Sequence, residues 1–261
     1  MGKRKGSSSM TQSVFLEIKN AIAIVTLNEA ETLNALTEEM LAALIDILNQ
    51  CEDNPEINAM IITGAGRGFC AGANLKSSIV DMRTGSFERW IKDHLNPLVV
   101  RLQSSRLPII AAINGPAAGA GVSLALGCDL ILAADTAKFV IGFAKIGVGM
   151  DLGASWTLPR AIGMKRTKQL AMLSRPLDAN TAKDWGLVMD VFPNEELLTA
   201  AENLCAELLV NSTPPAIAAI KQQLKLAANT DLHGALEFEA QIQAALVLTE
   251  ESKQLIDSFG N

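Results

Sequence analysis

One carboxylate in this chain sits where a carboxylate could move protons. Asp151 lies in a loop of small residues, GFAKIGVGMDLGAS (142–155), between the apolar Met150 and Leu152. Apolar neighbours hold water off a carboxyl group and raise its pKa toward neutrality, so it can take up a proton and return it at working pH. Two further stretches have the composition of anion-binding backbone: GAGRGFCAGANL (64–75) and NGPAAGAG (114–121). Where side chains are absent, backbone amides can point straight at a ligand atom. A helix that starts there adds unpaired N–H groups and its positive end. One N–H from each stretch, converging on a single oxygen, makes an oxyanion hole. A helix packed tightly on a sheet would use the same glycines for contact alone.

Other chemistries lack their parts. The chain has two histidines, His94 and His233, and neither has a partner at ligand spacing. A Ser-His-Asp or Cys-His nucleophile is therefore poorly supplied. The four cysteines (Cys51, Cys70, Cys128, Cys205) lie far apart with no C-x-x-C, as expected of reduced, structural, cytosolic thiols rather than disulfides or zinc ligands. The second glycine stretch continues as Ala120-Gly121-Val122, without the Gly-Lys-Ser/Thr of a Walker loop. Gly115, Gly119 and Gly121 do not fit the dinucleotide G-x-G-x-x-G. No metal and no cofactor is expected.

The candidate groups need strands to aim them. Ile109–Ile113 reads as a buried strand, then the small-residue turn from Asn114 to Gly121, then a helix carrying Val122 to Leu126 inward. Ala59–Thr63 reads as a second buried strand feeding the first glycine loop. If the two strands are neighbours, both loops lie at one sheet edge, with the Asp151 loop as third contributor. Upstream, Val14–Ile18 and Ile22–Leu27 read as strand–turn–strand. Thr37, followed by Glu38 and Glu39, caps a helix with Met40, Leu41, Leu44, Ile45, Ile47 and Leu48 on one face. A polar helical segment is expected at 76–84, and an amphipathic helix from Phe87 to Leu102. Strands follow at Leu130–Ala133 and Lys138–Ile141, and helices at Leu158–Ile162, Lys165–Leu173 and Asp178–Trp185. A short strand is expected over Gly186–Val191, then helices over Glu195–Asn211, Pro215–Ala228 and Leu232–Ser252.

A chain of 261 residues, 49% hydrophobic, can bury a large core as an α/β protein. No apolar run approaches the roughly 20 residues of a membrane span. The net charge of −6 argues against a nucleic-acid surface. Residues 1–12 begin MGKRKGSSSM and read as a leader or disordered tail, with Met10 as a natural start; 13–195 reads as the core and 196–261 as a C-terminal helical region used for oligomerisation.

Five motifs in order, LNALT (33–37), GRGFCAGANL (66–75), INGPAAGAGVSLALGCDL (113–130), AKFVIGFAKIGVGMD (137–151) and AKDWGLV (182–188), resemble the crotonase, or enoyl-CoA hydratase/isomerase, superfamily. The resemblance runs from about Val14 to the C-terminus. It implies an α/β fold with a crotonase-like ββα spiral core, C-terminal helices, and homotrimers or dimers of trimers; the cysteine usage above points to the cytoplasm. It also implies an acyl-CoA thioester substrate whose CoA is not a cofactor. The backbone N–H groups of Ala73 and Ala120 then match the thioester-oxygen donors. Leu33, Ala35, Ala71, Asn74 and Leu75 match the CoA and pantetheine path; Ala118, Gly119 and Phe143 fall on the substrate pocket.

Hydratases of this superfamily use two glutamates to handle water, and the matching positions here are Ser123 and Phe143. Neither is a carboxylate. Asp151 instead matches an aspartate that some family isomerases and the related chlorobenzoyl-CoA dehalogenases use. The dehalogenase histidine position is Asn96, and its ring-stacking tryptophan is Phe143. NPLVVRL (96–102) with GFAKIGVGMDLGASW (142–156) looks similar to the phenylacetate-pathway 1,2-epoxyphenylacetyl-CoA isomerase group. The resemblance thus implies double-bond or ring-epoxide isomerisation through Asp151. The alternatives are an enoyl-CoA hydratase in the broad sense and a non-catalytic acyl-CoA-binding member. Ser123 is expected to bond back to its own helix, Phe143 to wall a pocket, His94, Glu237 and Glu239 to be solvated, Asp129 to be structural, and Lys221 to be a surface lysine.

Overall fold

The computed structural model describes residues 9–10, 13–74 and 86–259. Leu75, the polar segment 76–84 and all but two residues of the expected leader lie outside them.

The strands are β1 (Ser9–Met10), β2 (Val14–Lys19), β3 (Ile22–Leu27), β4 (Ala59–Gly64), β5 (Ile109–Ile113), β6 (Ala117–Ala118), β7 (Leu130–Ala134), β8 (Lys138–Val140), β9 (Leu177–Asp178) and β10 (Asp190–Phe192). The helices are α1 (Glu38–Asp53), α2 (Ser86–Trp90), α3 (Asn96–Ser104), α4 (Ala120–Gly127), α5 (Ala154–Ile162), α6 (Met164–Leu173), α7 (Ala179–Asp184), α8 (Leu197–Asn211), α9 (Pro214–Ala227), α10 (Leu232–Leu246) and α11 (Glu250–Phe259).

A seven-stranded sheet runs β1-β2-β3-β4-β5-β7-β10. The β2–β3 hairpin turns on Asn20 and Ala21, both at positive φ, as a two-residue loop between right-twisted strands requires. From β3 onward every pairing is parallel, and β4 is the neighbour of β5, Met60 opposite Ile109. Both faces are buried, so the strands read as near-continuous apolar runs. Alternation sends Ala59, Ile61, Ile110, Ala112 and Leu132 toward Leu197, Ala201 and Cys205 of α8. Met60, Ile62, Ile109, Ala111 and Ile113 point the other way, into the core shared with α1, α3 and α4.

A second sheet, β6-β8-β9, pairs the expected strand at 138–140 with two short strands, β6 and β9, that the sequence does not announce. Isolated bridges extend it from Ala117 to Cys70 and from Ala73 to Leu36. The expected turn at 114–121 is therefore partly strand, and α4 starts at Ala120, two residues earlier than the side-chain pattern indicates.

Local chemistry explains most boundaries. Thr37 caps α1 by accepting from the Met40 amide. At the other end Arg106 donates to the carbonyls of Cys51, Glu52, Asn54 and Ile57, taking up the carbonyls that a helix end leaves unpaired. The expected helix over 87–102 is instead α2, a π-helical turn (Ile91–Leu95) and α3. Pro97 has no N–H for the carbonyl four residues back, and the Asn96 amide bonds to Ile91, five back. The expected strand over Gly186–Val191 begins only at Asp190: Gly186, at φ +82, and Leu187 turn their amides back onto Lys183 and Ala182 to close α7. The expected helix over 232–252 is two helices, because Thr249 caps α11 by accepting from the Ser252 amide.

Lys221 is not a surface lysine. Its side chain is only 11% exposed, and it donates to the Leu107 carbonyl (2.5 Å) and to Asp129 Oδ2 (2.6 Å), fastening α9 to the start of β5 and β7. Asp129 has the structural role expected, since Oδ2 also accepts from the Ile109 amide at 2.7 Å. His94 is half-buried with its ring 5.8 Å from that of Trp90, whereas Glu237 and Glu239 are solvated. Across α9–α11, Leu224, Leu232, Leu236, Leu248 and Ile256 are exposed. A groove of about 770 Å³ runs between α8, α9, α10 and α11, far from the glycine loops. Among the described residues no helix is long and apolar enough to cross a membrane.

Candidate active site

The first glycine loop is held by two carboxamides. Asn34, fully buried, accepts from the Glu29 amide (2.9 Å) and donates to the carbonyls of Ala65 (3.0 Å) and Gly68 (2.9 Å). Asn114, from the second loop, accepts from the Gly64 amide (3.1 Å) and donates to the Gly66 carbonyl (3.0 Å). Segment 33–36 then runs alongside the loop. The Ala71 amide reaches the Leu33 carbonyl, the Leu36 amide the Gly72 carbonyl, and the Asn74 amide the Leu36 carbonyl. In such a parallel bridge the middle residue turns its own N–H to the opposite side. That residue is Ala73, and its amide has no hydrogen-bond partner among the described residues.

The second loop is laid against the first. The Phe69 amide donates to the Pro116 carbonyl (3.1 Å) and the Ala118 amide to the Cys70 carbonyl (2.9 Å). The fit leaves no room for side chains: a Cβ on Gly121 would stand 2.1 Å from the Cys70 carbonyl oxygen. Gly119, at φ +51, sends its amide to Val140, and α4 begins. Ala120 is the first helical residue, so its N–H has no intrahelical acceptor, and it has no other partner among the described residues. The two loops meet at this amide, because a Cβ on Gly72 would lie 3.3 Å from the Ala120 nitrogen. Two unpaired N–H groups, one from each loop, thus flank the start of α4.

Asp151 lies in the loop that leads into α5, which packs against the same helix. Leu152 and Gly153 both take positive φ, and Leu152 tolerates it while buried to 2% exposure. This bend directs the Asp151 side chain inward, with Oδ1 buried and without a hydrogen-bond partner among the described residues. Burial pushes the carboxyl up to about 6, while the neighbouring Ser123 hydroxyl and the backbone amide of Asp151 itself pull it back down. Ser123 is fully buried, one turn along α4 from Ala120, and its hydroxyl also bonds back to the Gly119 carbonyl (3.4 Å), as its sequence context indicates. Phe143, 6% exposed, is part of the core and also turns its ring edge to Gly119, 3.8 Å from where a Cβ would stand.

The structure therefore brings together Ala73, Ala118, Gly119, Ala120 and Phe143, with Asp151 in the loop before α5, the helix packed on α4. Leu33 and Ala35 lie on the 33–36 segment that flanks the first loop, and Ala71 lies on that loop, bonded to Leu33; Ala71 is exposed, Leu33 half-buried and Ala35 buried. Asn74 adjoins them and is half-buried; Leu75 lies outside the described residues. Sequence reasoning missed the clamping roles of Asn34 and Asn114. A carboxamide inside a small-residue motif was the available signal for both. Among the described residues no three His, Cys, Asp or Glu side chains group as a metal site.

Residues 17–260 match the family described as enoyl-CoA hydratase/isomerase. The chain belongs to that family. It has a crotonase fold, a mixed α/β core with a central sheet and a helical C-terminal region. Among relatives, the 1,2-epoxyphenylacetyl-CoA isomerase of Escherichia coli is 37% identical, over 96% of this chain and 96% of its own. The short-chain-enoyl-CoA hydratase of Clostridium acetobutylicum is 33% identical, over 95% of this chain and 94% of its own. Among solved structures, an enoyl-CoA hydratase from Polaromonas superposes with a TM-score of 0.88 at 33% identity, covering 94% of this chain and 96% of that one. Family membership accounts for the pattern of the site, two glycine loops on adjacent parallel strands. It leaves the reaction to the groups that surround them, and family relatives named for hydration and for isomerisation are similar to this chain to a comparable degree.

Proposed function

We propose that this protein is an acyl-CoA isomerase. It moves a double bond in an enoyl-CoA, or rearranges a ring epoxide of an aryl-acetyl-CoA, using Asp151 as acid/base and the amides of Ala73 and Ala120 as donors to the thioester oxygen. The observation that carries the reading is Asp151: a carboxyl group with Oδ1 buried, pushed up to about 6, in the loop leading into α5, which packs on the helix whose first amide is Ala120. Such a group is ionised enough near neutrality to accept a proton and acidic enough to return it.

For a 3-enoyl-CoA the step balances without water. The Asp151 carboxylate takes a proton from C2, and the C–H electron pair moves into the thioester carbonyl to give a dienolate. The two amides stabilise its oxygen, an effect worth roughly 3–4 kcal/mol per donor in comparable sites. The protonated Asp151 then returns the proton at C4, leaving the conjugated 2-enoyl-CoA and a regenerated carboxylate. With a ring epoxide the same enolate would assist C–O opening. Ser123 and Phe143 stand where the family resemblance expects hydratase glutamates, and this favours isomerisation. CoA enters as part of the substrate. The exposed apolar residues of α9–α11 suit a contact between copies, in keeping with a trimer or dimer of trimers.

The second reading, a hydratase, is favoured by the names of several relatives, including the 33% identical Clostridium enzyme. Ultraviolet absorbance of the conjugated thioester separates the two. Isomerisation of 3-enoyl-CoA raises it, and hydration of crotonyl-CoA lowers it. The proposal expects the rise, abolished in Asp151→Asn. Rapid hydration, or near-full isomerase activity in Asp151→Asn, would overturn it; CoA-ester binding with no turnover would leave a non-catalytic family member.

A further inference from the structure

We propose that Leu152 is a positioning residue for Asp151: its buried side chain holds a strained turn that keeps the Asp151 carboxyl group directed inward. The inference rests on the reading of Asp151 as acid/base.

Residues 151–154 form a turn closed by a hydrogen bond from the Ala154 amide to the Asp151 carbonyl (2.9 Å). Its central residues, Leu152 and Gly153, sit at φ +46 and +74. Two central residues at positive φ make the type I′ pattern, which glycine, asparagine and aspartate fill at little cost. Leucine has no polar group to bond the local backbone, and its Cβ is crowded there. Asn20, Ala21, Leu33, Asn34 and Ser174 are the other described non-glycine residues at positive φ, and each is polar or partly exposed. Leu152 is apolar and lies in the main core.

An easier turn is at hand. Gly153, at φ +74 and ψ 6, already has the geometry of the third residue of a type II turn. Leu152 alone would have to move, to the negative φ that leucine prefers. What opposes the move is its side chain, 2% exposed, which the change in φ would swing out of the core. Gly153 is anchored on the far side. Its carbonyl accepts the amides of Trp156 and Thr157, both at 2.9 Å, and a Cβ on it would stand 3.9 Å from Val99 of α3. A change at Leu152 is therefore taken up on the Asp151 side, where Oδ1 is buried. A residue held in a costly conformation persists only where its surroundings impose it, and such residues cluster at functional sites.

The test compares isoleucine and methionine at position 152, both close to leucine in volume. Isoleucine is branched at Cβ and tolerates positive φ least; methionine is unbranched. A residue that only fills the core would accept either. Carbon NMR on protein labelled at aspartate carboxyls follows the titration of Asp151, the resonance assigned by its loss in Asp151→Asn, and the kinetics of 3-enoyl-CoA isomerisation are measured beside it. Among the neighbouring elements α4 carries no charge, Arg101 of α3 is bonded to Asn49, Arg160 of α5 is stacked over Trp156, and Lys145, Lys165, Arg166 and Lys168 are exposed. The midpoint of Asp151 thus reports its access to water. Burial holds it at about 6.

Leu152→Ile should lower that midpoint by about one pH unit, toward the 3.8 of a free aspartate, and kcat should fall about tenfold with KM little changed. Leu152→Met should keep the parental midpoint. Leu158→Ile makes the same exchange at a fully buried position within α5 and should move neither midpoint nor kcat. Leu152→Val repeats the comparison with a smaller branched side chain if isoleucine does not fit. Equal midpoints in Leu152→Ile and Leu152→Met overturn the Leu152 role whatever Asp151 does. A lowered midpoint in Leu152→Ile with undiminished activity in Asp151→Asn overturns the acid/base reading instead, and Leu152's part in the reaction with it.

Discussion

Gly72 is packed directly against the Ala120 nitrogen. A Cβ on Gly72 would stand 3.3 Å from that atom and 2.8 Å from the Ala118 carbonyl oxygen, and Gly72 itself sits at φ +98, where side chains are rarely accommodated. The separation of the Ala73 and Ala120 amides is therefore set by backbone contact. No flexible side chain intervenes to absorb an error, so the geometry of the two donors and the identity of residue 72 are one property.

Gly72→Ala should accordingly damage turnover more than folding. Pushing the two loops apart misplaces one donor, which costs about 100-fold or more in kcat in comparable sites. Gly163 provides the control. It too sits at positive φ (+80), with nothing within 4 Å of its would-be Cβ, and it joins α5 to α6 away from the two loops. Gly163→Ala should cost about 1–2 kcal/mol of stability and leave kcat within a few-fold. Equal kcat values for the two variants would break the link between Gly72 and the donors.

Asn114→Asp should uncouple the loops electrostatically. The acceptor for the Gly64 amide survives, but the donor to the Gly66 carbonyl becomes an anionic oxygen facing it. Leaving that carbonyl unpaired costs about 1–3 kcal/mol, and part of the cost should appear as a drop in kcat/KM of about tenfold. Protonation restores the donor, so the ratio of variant to wild-type activity should recover as the pH is lowered. A flat ratio across the pH range would remove Asn114 from the support of the first loop.

Asp151 should weaken the fold in its working state. Its carboxyl titrates in the folded protein at about 6, above the 3.8 of a free aspartate, so the folded state binds the proton more tightly. Stability contributed by that proton is complete below about pH 4, declines as the pH rises toward 6, and is gone above it. Asp151→Asn escapes the loss. It should match the parent near pH 4 and exceed it at pH 8 by up to roughly 3 kcal/mol, visible as a rise of several degrees in Tm. A variant less stable than the parent at pH 8 would mean that the carboxyl group is not held away from water.

How far the sequence reached depends on the range of the interactions. The strands over Ile22–Leu27 and Ile109–Ile113 and the Thr37 cap follow from neighbours within a few residues, and each is where local reasoning puts it. The apolar flanks of Asp151 likewise announced its burial, with Leu152 inside the core. Thr249 with Glu250 and Glu251 repeats the Thr37 signal, yet apolar residues on both sides of it hide the break between α10 and α11. Gly186 carries both a helix stop and a strand start, and only the bonds back to α7 decide between them. Lys221 and Asp129 are 92 residues apart, and a lysine on an amphipathic helix looks solvated until that helix is docked.

That lysine supplies the last prediction. Burial raises the Asp129 carboxyl, and the Lys221 ammonium is the main force holding it down. Lys221→Met would leave a carboxylate, 29% exposed, facing the Leu107 carbonyl with the Ile109 amide as its remaining donor. Breaking a fully buried pair costs about 3–5 kcal/mol, and partial exposure reduces this to about 1–3. Because the unpaired Asp129 becomes harder to ionise, the deficit should be present at neutral pH and shrink as acid protonates it. Adding Asp129→Asn should recover most of the loss at pH 7, since a carboxamide oxygen still accepts from Ile109 and carries no charge. Melting curves of the two variants at pH 7 and pH 4.5 test this. A single variant as stable as the parent would mean that α9 is held by its apolar face alone, and a double variant no better than the single would mean that the cost lies in lost lysine packing and not in the stranded charge.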